Sequence, residues 1–562
     1  MPTSPQTLKR VQGLNYFAHD KLLQRILARE FDPDRRQRVF NNLLEFGKLC
    51  GGKLSGLIEE AHQPGKLPAL VKYDPRGNRV DYIEYCLEQK LARKIVYDFG
   101  ILNLDEQTGY PFSGQHRMAL WYLLNQNGEG GVACPLAMTQ GLIELLREAG
   151  TPEQKEKHLP LLCGIGSKSH FMAGQFITEI QGGSNVSANE TTAALQKTGK
   201  WSLNGTKWFC SNPGDLWVTT AKVQDTQTVG LFLASRWRAG GKLNGQHILR
   251  IKDIIGTRGK ATCEIEYRDL EAEPIGRPSH GLALLNRVLK VSRIGVAAAG
   301  IGAMRRAYME ALLYADQRQA FGRPIIEFPP INKTLLEMKL IWTAGVLAAF
   351  RMQKLIEERD PAQDLLVPLL KYKISSLASA AVKDAQMVLG GNGMLADYSI
   401  LPRLAADMTV NETWEGTHHI LAAHAVKAFG RMRIRNAFWR EINASIRMAE
   451  AENIVQLSDC ASILNHTKTA LLSQIQQMKE SGPLITSLNA LKLCNQIYSL
   501  FVFSLLVKEA VVDIRKKKTD FLYLIHVFLD LSEAEPGAPV SSNSVFCDQA
   551  RVLKALRADL PE

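Results

Sequence analysis

Apolar residues recur every three or four positions from Leu8 to about Leu162, as in Leu142, Leu145, Leu146 and Ala149, and this spacing predicts helices. Gly150-Thr151-Pro152 predicts the end of one helix and the start of the next, with proline in a favourable first turn. Near Phe171 the pattern changes. Residues 201–209 read as a hairpin, because Asn204-Gly205 suits the positive dihedrals of a two-residue turn. Residues 216–223, 229–235, 247–251 and 261–267 read as further strands of a compact antiparallel domain ending near Gly276. Strands do not alternate with helices, which argues against a doubly wound sheet.

From His280 the helical spacing returns. Leu282, Leu285 and Leu289 share a face, and Ala297, Ala298, Ala299, Gly300 and Gly302 allow close helix–helix approach. The pattern persists beyond Gly430, broken by Ser481-Gly482-Pro483 and by a loop over residues 533–544. No internal repeat interrupts this order. The expectation is a multidomain α+β chain: an N-terminal helical domain (1–165), a central antiparallel β domain (166–278), a C-terminal helical bundle (279–430) and an appended helical domain (431–562).

A length of 562 residues agrees with several cores. The opening stretch, Met1 to Arg10, lacks the apolar core of a secretory signal. The apolar run from Leu500 to Val507 meets Lys508 and Glu509 too soon to span a bilayer. Nine cysteines are scattered without a Cys-x-x-Cys pair, so a reducing, cytoplasmic setting is expected and no metal site is. The histidines His418, His419 and His424 lack a carboxylate or cysteine to complete a metal site. The net charge of +12 admits phosphorylated small molecules, anionic lipid or nucleic acid as partners and selects none of them.

Candidate chemistry sits in five separated segments. The first, residues 175–186, includes Phe176, Ile177 and Thr178 and then Gln181-Gly182-Gly183-Ser184; paired glycines beside hydroxyls can present donors to a polar ring or a phosphate. The second is Lys207-Trp208-Phe209-Cys210-Ser211-Asn212, where an aromatic could stack on a ring and Ser211 donate to it. The third is Ser292-Arg293 followed by Arg318-Gln319-Ala320-Phe321-Gly322, with Arg318 suited to phosphate through its planar fork of donors. The fourth is Gln386 to Gly393, a helix ending at Gly390-Gly391, without the spacing of a dinucleotide fingerprint. The fifth is Trp414-Glu415-Gly416-Thr417. Thr417 can cap a following helix, which places Glu415 in the turn before it and lets another molecule approach at Gly416.

In order and spacing these five segments resemble the acyl-CoA dehydrogenase flavoprotein family over roughly residues 171–429. The resemblance is closer to its AidB-type, adaptive-response branch. That branch shares Thr178-Glu-x-Gln-Gly-Gly-Ser184, Lys207-Trp-Phe-x-Ser211, Pro402-Arg-Leu404 ahead of Trp-Glu-Gly, Cys263-Glu-x-Glu-Tyr267 and an extra C-terminal helical domain. The resemblance implies FAD as cofactor and Glu415 as the base that removes the α-proton of an acyl-CoA thioester, with Arg293 nearby. It implies a flavin contacted by Phe176, Ile177, Thr178, Ser184, Phe209, Cys210, Ser211, Thr417 and His419, and substrate at Ser184 and Gly416. Arg318, Phe321, Gln386, Gly390 and Gly391 match positions where a neighbouring subunit grips the adenine dinucleotide half, so a homotetramer built from dimers is implied. An electron-transfer flavoprotein is the acceptor that the family commonly uses.

The chain departs from the family loop at Ile180 and Asn185, and places Gln175 where an aromatic is common. His418 and His419 stand where the family has other polar residues. Two alternatives follow from the same resemblance. One is double-stranded DNA binding through Arg431, Arg433, Arg435, Arg440, Arg515, Lys516, Lys517 and Lys518, the basic residues of the tail. The other is a flavoprotein that sequesters acyl chains with little turnover.

Overall fold

The computed structural model describes residues 10–103, 113–164, 170–533, 541 and 543–561. Their contacts sort into two compact units. One comprises residues 1–51, 114–126 and 296–562, and the other residues 52–113 and 127–295. The long helix Gly281–Gln317 begins in the second and continues in the first.

The second unit holds the sheet. Its strands are β1 (Ala69–Tyr73), β2 (Arg79–Glu84), β3 (Ala173–Phe176), β4 (Thr192–Leu195), β5 (Trp201–Ser211), β6 (Leu216–Val223), β7 (Val229–Ser235), β8 (Gln246–Ile251) and β9 (Thr262–Pro274). β1 and β2 form a separate antiparallel hairpin inside the stretch expected to be helical. Its first strand is almost wholly exposed, so it carries no alternating apolar signature. The other seven run in the order β3-β5-β4-β6-β7-β9-β8. Most pairs are antiparallel, as expected, but β6 runs parallel to both β3 and β4. Residues 216–223 and 229–235 are strands as expected, while the last strand runs on to Pro274. Phe176, Cys210, Trp217, Phe232, Cys263, Ile265 and Tyr267 fill the core.

The expected hairpin at residues 201–209 is instead one continuous strand. Asn204-Gly205 forms a bulge where β5 slips register against β9. Gly205 has φ +147°, and a Cβ there would meet Thr191 Cα at 2.7 Å. A bulge and a tight turn both call for a positive φ, so the dipeptide alone does not distinguish them.

The helices end where their sequences say they should. Helix Ala133–Ala149 stops at Gly150, and Thr151 with Gln154 forms a capping box that starts Pro152–Cys163. Ser481-Gly482-Pro483 breaks the tail as expected, between Val455–Glu480 and Pro483–Leu488. Most of the loop expected at 533–544 lies outside the described residues.

The first unit is helical and packs at close range. Gly300 backs onto Ile374, and a Cβ on Gly302 would meet the Asn125 backbone at 2.8 Å. The helices Gln363–Leu389, Leu401–Thr413 and His418–Gly430 pack together, and Ala490–Arg515 of the tail packs on the last of these. Among the described residues, one segment, 363–394, is long and apolar enough to cross a membrane by length and composition; 72% of its window is buried inside the protein.

Candidate functional site

The helix Leu401–Thr413 ends at Trp414, and His418–Gly430 begins after Thr417. Glu415 and Gly416 make the turn, with φ +56° and +109°. A left-handed glutamate costs about 1–3 kcal/mol and persists only where its surroundings over-determine it. One such contact comes from Lys371, fully buried on Gln363–Leu389. Its Nζ donates to the carbonyls of Glu412 (3.2 Å) and Gly416 (2.9 Å), on either side of Glu415. Thr417 takes the extended backbone of an N-cap, but its side chain makes no capping bond. His418 Nε2 lies 3.4 Å from Glu412 Oε2, and its ring centroid is 4.8 Å from that of Tyr372. Burial holds the His418 imidazole below its ordinary pKa, against the pull of Glu412. Glu415 and Gly416 are half-buried, and Thr417 and His419 are exposed.

The remaining candidates of this unit lie near one another. Arg318 follows the long helix, and Phe321 tips the two-residue strand pair behind it with φ +50° and 96% exposure. Gln386 is buried and donates to the Gly393 carbonyl at 3.2 Å. Asn392, just past Gly390-Gly391, donates to the Tyr314 hydroxyl at 3.3 Å, which ties this turn to the helix that leads into Arg318. A Cβ added at Gly390 or Gly391 would meet nothing within 4 Å, so their backbone is open to a ligand.

In the sheet unit, the loop after β3 is pinned by a buried ion pair. Lys207 Nζ lies 2.5 Å from Glu179 Oε1, both groups being almost wholly buried. Glu179 also accepts from the amides of Glu190 (2.6 Å) and Thr191 (3.3 Å). Burial pushes the Glu179 carboxyl up, but the Lys207 ammonium and these hydrogen bonds outweigh it and hold it below the usual range. The loop folds tightly enough that a Cβ on Gly183 would sit 2.6 Å from Thr178 Oγ1. The Trp208 amide donates to the Thr178 carbonyl at 2.8 Å, bringing the first and second candidate segments together.

A second bulge in β5, between Lys207 and Cys210, turns both of those side chains into the core and leaves Phe209 48% exposed. Ser211 follows on the same face, half-buried. Lys252 Nζ sits 3.3 Å from the Trp208 ring centroid and 4.8 Å from that of Phe209. Two of the expected residues have core side chains. The side chains of Phe176 and Cys210 are fully buried in the sheet core, Phe176 stacked on Trp217, so neither side chain faces a ligand. Ile177 and Thr178 are partly exposed, and Ser184 is exposed. Arg293 is half-buried on the long helix; the adjacent Ser292 donates to Gln175 Oε1 at 3.1 Å, which fixes the residue that stands in place of an aromatic.

An exposed aromatic beside hydroxyls suits a planar ring with polar edges, and the open Gly-Gly backbone near Arg318 suits phosphates. The first donor set fits a flavin ring, and the second fits the phosphates of a dinucleotide.

Comparison with known proteins agrees. The acyl-CoA dehydrogenase C-terminal domain model matches residues 279–429 and the middle domain model residues 174–270. The adaptive response protein AidB N-terminal domain model matches residues 6–164. The chain belongs to the acyl-CoA dehydrogenase family. FAD is the cofactor of this family of oxidoreductases. Among its members, Caenorhabditis elegans acyl-CoA dehydrogenase family member 11 is 28% identical over 491 residues, spanning 83% of this chain and 78% of that protein. The putative acyl-CoA dehydrogenase AidB of Escherichia coli is 29% identical over 380 residues, or 65% of this chain and 69% of its own. The crystal structure of C. elegans ACDH-11 in complex with C11-CoA superposes with a TM-score of 0.86 at 23% identity, covering 99% of this chain and 97% of that one. This last likeness shows that the acyl-CoA dehydrogenase fold extends through the appended helices.

Sequence reasoning missed Lys371, and it named Lys207 within the second segment without its buried pairing with Glu179, since lysines usually mark solvated faces.

Proposed function

We propose that this protein is an FAD-dependent acyl-CoA dehydrogenase-type oxidoreductase that introduces an α,β double bond into an acyl-CoA thioester. The observation that carries this reading is Glu415, held in a left-handed turn by the buried Lys371 clasp. A left-handed carboxylate in the turn between two packed helices supports a positioned base. Glu415 takes the α-proton. In this reading the thioester oxygen accepts from the backbone N–H of Glu415 as negative charge develops there, and Gly416 leaves room for the thioester. Bound FAD supplies the acceptor for the β-hydride, which no amino-acid side chain can accept. Phe209, Thr178 and Ser211 hold the ring, and Arg318 with the Gly390-Gly391 backbone of a neighbouring subunit holds the phosphates of the adenine dinucleotide half.

The C11-CoA bound by the related nematode protein supports a medium-to-long acyl-CoA as ligand. The full exposure of Phe321 beside the phosphate-binding turn supports an oligomer in which a second subunit covers it, a tetramer of paired dimers. A cytoplasmic setting and an electron-transfer flavoprotein as acceptor complete this reading. DNA binding has weaker geometric support. Arg440 is paired with Asp360 at 2.7 Å and Arg515 with Glu452 at 2.6 Å, whereas Arg431, Arg433 and Lys516 to Lys518 are exposed and Arg435 is half-buried.

Replacement of Glu415 by Gln tests the assignment. Flavin content should be retained, and reduction of the flavin by acyl-CoA should be lost. Reduction at the wild-type rate would remove Glu415 from the role of base.

A further inference from the structure

We propose that Lys260 is a positioning residue that directs the Ser211 hydroxyl and sets a buried positive charge beside it, making the bound flavin easier to reduce. This rests on the reading above, in which Ser211 faces the ring. Lys260 is 2% exposed and lies just ahead of β9. Its Nζ donates to Thr262 Oγ1 at 2.8 Å and to Ser211 Oγ at 3.3 Å. Ser211 and Thr262 are cross-strand partners on β5 and β9, and their hydroxyl oxygens are 3.3 Å apart. The three groups form a closed triangle.

The donor count limits what the triangle can do. An ammonium has N–H donors and no acceptor, so both hydroxyl oxygens accept from Lys260 and both hydroxyl protons must go elsewhere. Within the triangle Thr262 can give its proton to Ser211 Oγ, which sends the Ser211 proton outward on the face that also carries Phe209. A hydroxyl that accepts from a cation is also a stronger donor in turn.

The charge adds a second effect. Reduction brings negative charge onto a ring at Ser211, and a cation buried in a low-dielectric setting stabilises that charge far more than a solvated one does. The field of Lys260 reaches its neighbours: burial pushes the Cys263 thiol up to about 12, with Lys260 pulling against it.

The test compares the wild type with Lys260→Met, Lys260→Gln and Lys260→Arg. Flavin content is measured first. The midpoint of the bound flavin then follows from equilibration with redox dyes, without substrate. The Met and Gln variants should keep flavin and shift the two-electron equilibrium at least tenfold toward the oxidised form, about 30 mV or more. The Arg variant keeps the charge and should stay within about threefold of wild type. Unchanged midpoints in Met and Gln overturn the proposal, as does an equal shift in Arg, or loss of flavin from both neutral variants while they remain folded. A folded wild-type protein that takes up no flavin overturns instead the reading on which the proposal rests.

Discussion

Lys371→Met removes the clasp on the Glu415 turn while filling most of the same volume. Two hydrogen bonds from a charged donor are lost, to the Glu412 and Gly416 carbonyls. Each contributes about 1.5–3 kcal/mol, so the gross loss is about 3–6 kcal/mol. Removing a buried ammonium also relieves a desolvation cost of several kcal/mol, which leaves a net effect on the order of 2–3 kcal/mol. The strain at Glu415, about 1–3 kcal/mol, is of the same size. Without the clasp, the turn relaxes toward an unstrained φ and the carboxylate leaves its place. At 1.36 kcal/mol per decade, that corresponds to roughly a 30- to 150-fold slower proton abstraction. The assay is anaerobic rapid mixing of flavin-loaded protein with acyl-CoA, following flavin absorbance, with acyl-CoA affinity and flavin content measured in parallel. The rate should fall with both binding terms changed by less than about threefold. A Lys371→Met protein that reduces its flavin within about twofold of the wild-type rate would refute the claim that this lysine holds the base.

Other expectations concern the sheet unit. Glu179 is held below the ordinary glutamate value of 4.5, so its stabilisation is complete above that value and is lost as pH falls through the folded one. Acid titration of stability should therefore be shallower below pH 4.5 in Glu179→Gln than in wild type. Lys207→Met, which strands the buried Glu179, should cost about 3–5 kcal/mol in denaturant unfolding of the sheet unit. A loss under about 1 kcal/mol would mean that the pair does not organise the loop. Gly205→Ala combines φ +147° with a Cβ 2.7 Å from Thr191 Cα. It should destabilise by more than about 1 kcal/mol, read as a lower melting temperature, and an unchanged one would contradict the bulge.

Much of the fold was legible because packing imposes period. Residues 216–223 and 229–235 appear as strands with the predicted bounds, since both are buried almost throughout and flanked by turns. Gly300 and Gly302 showed close helix approach because only the absence of a side chain allows it. The hairpin β1–β2 was illegible for other reasons: β1 is almost wholly exposed, and one of the two residues that β2 buries is an aspartate, Asp81, beside Ile83. The Asn204-Gly205 bulge was misread because its dihedral demand is shared with a turn. At the site, Glu415 was visible through its glycine and the helix start beyond it. Lys371 was invisible, since the carbonyls that it holds lie 41 and 45 residues away and carry no side-chain identity. The core placement of Cys210 was equally hidden, because a bulge in β5 changes which residues of that strand face inward.

The central claim is acyl-CoA dehydrogenation, and anaerobic titration of the flavin-loaded protein with acyl-CoAs of graded chain length tests it most directly. Flavin absorbance should fall rapidly with one chain-length class, and a 2-enoyl-CoA product should accompany the loss. A protein that carries flavin, binds acyl-CoA and shows no bleaching with any chain length would contradict it.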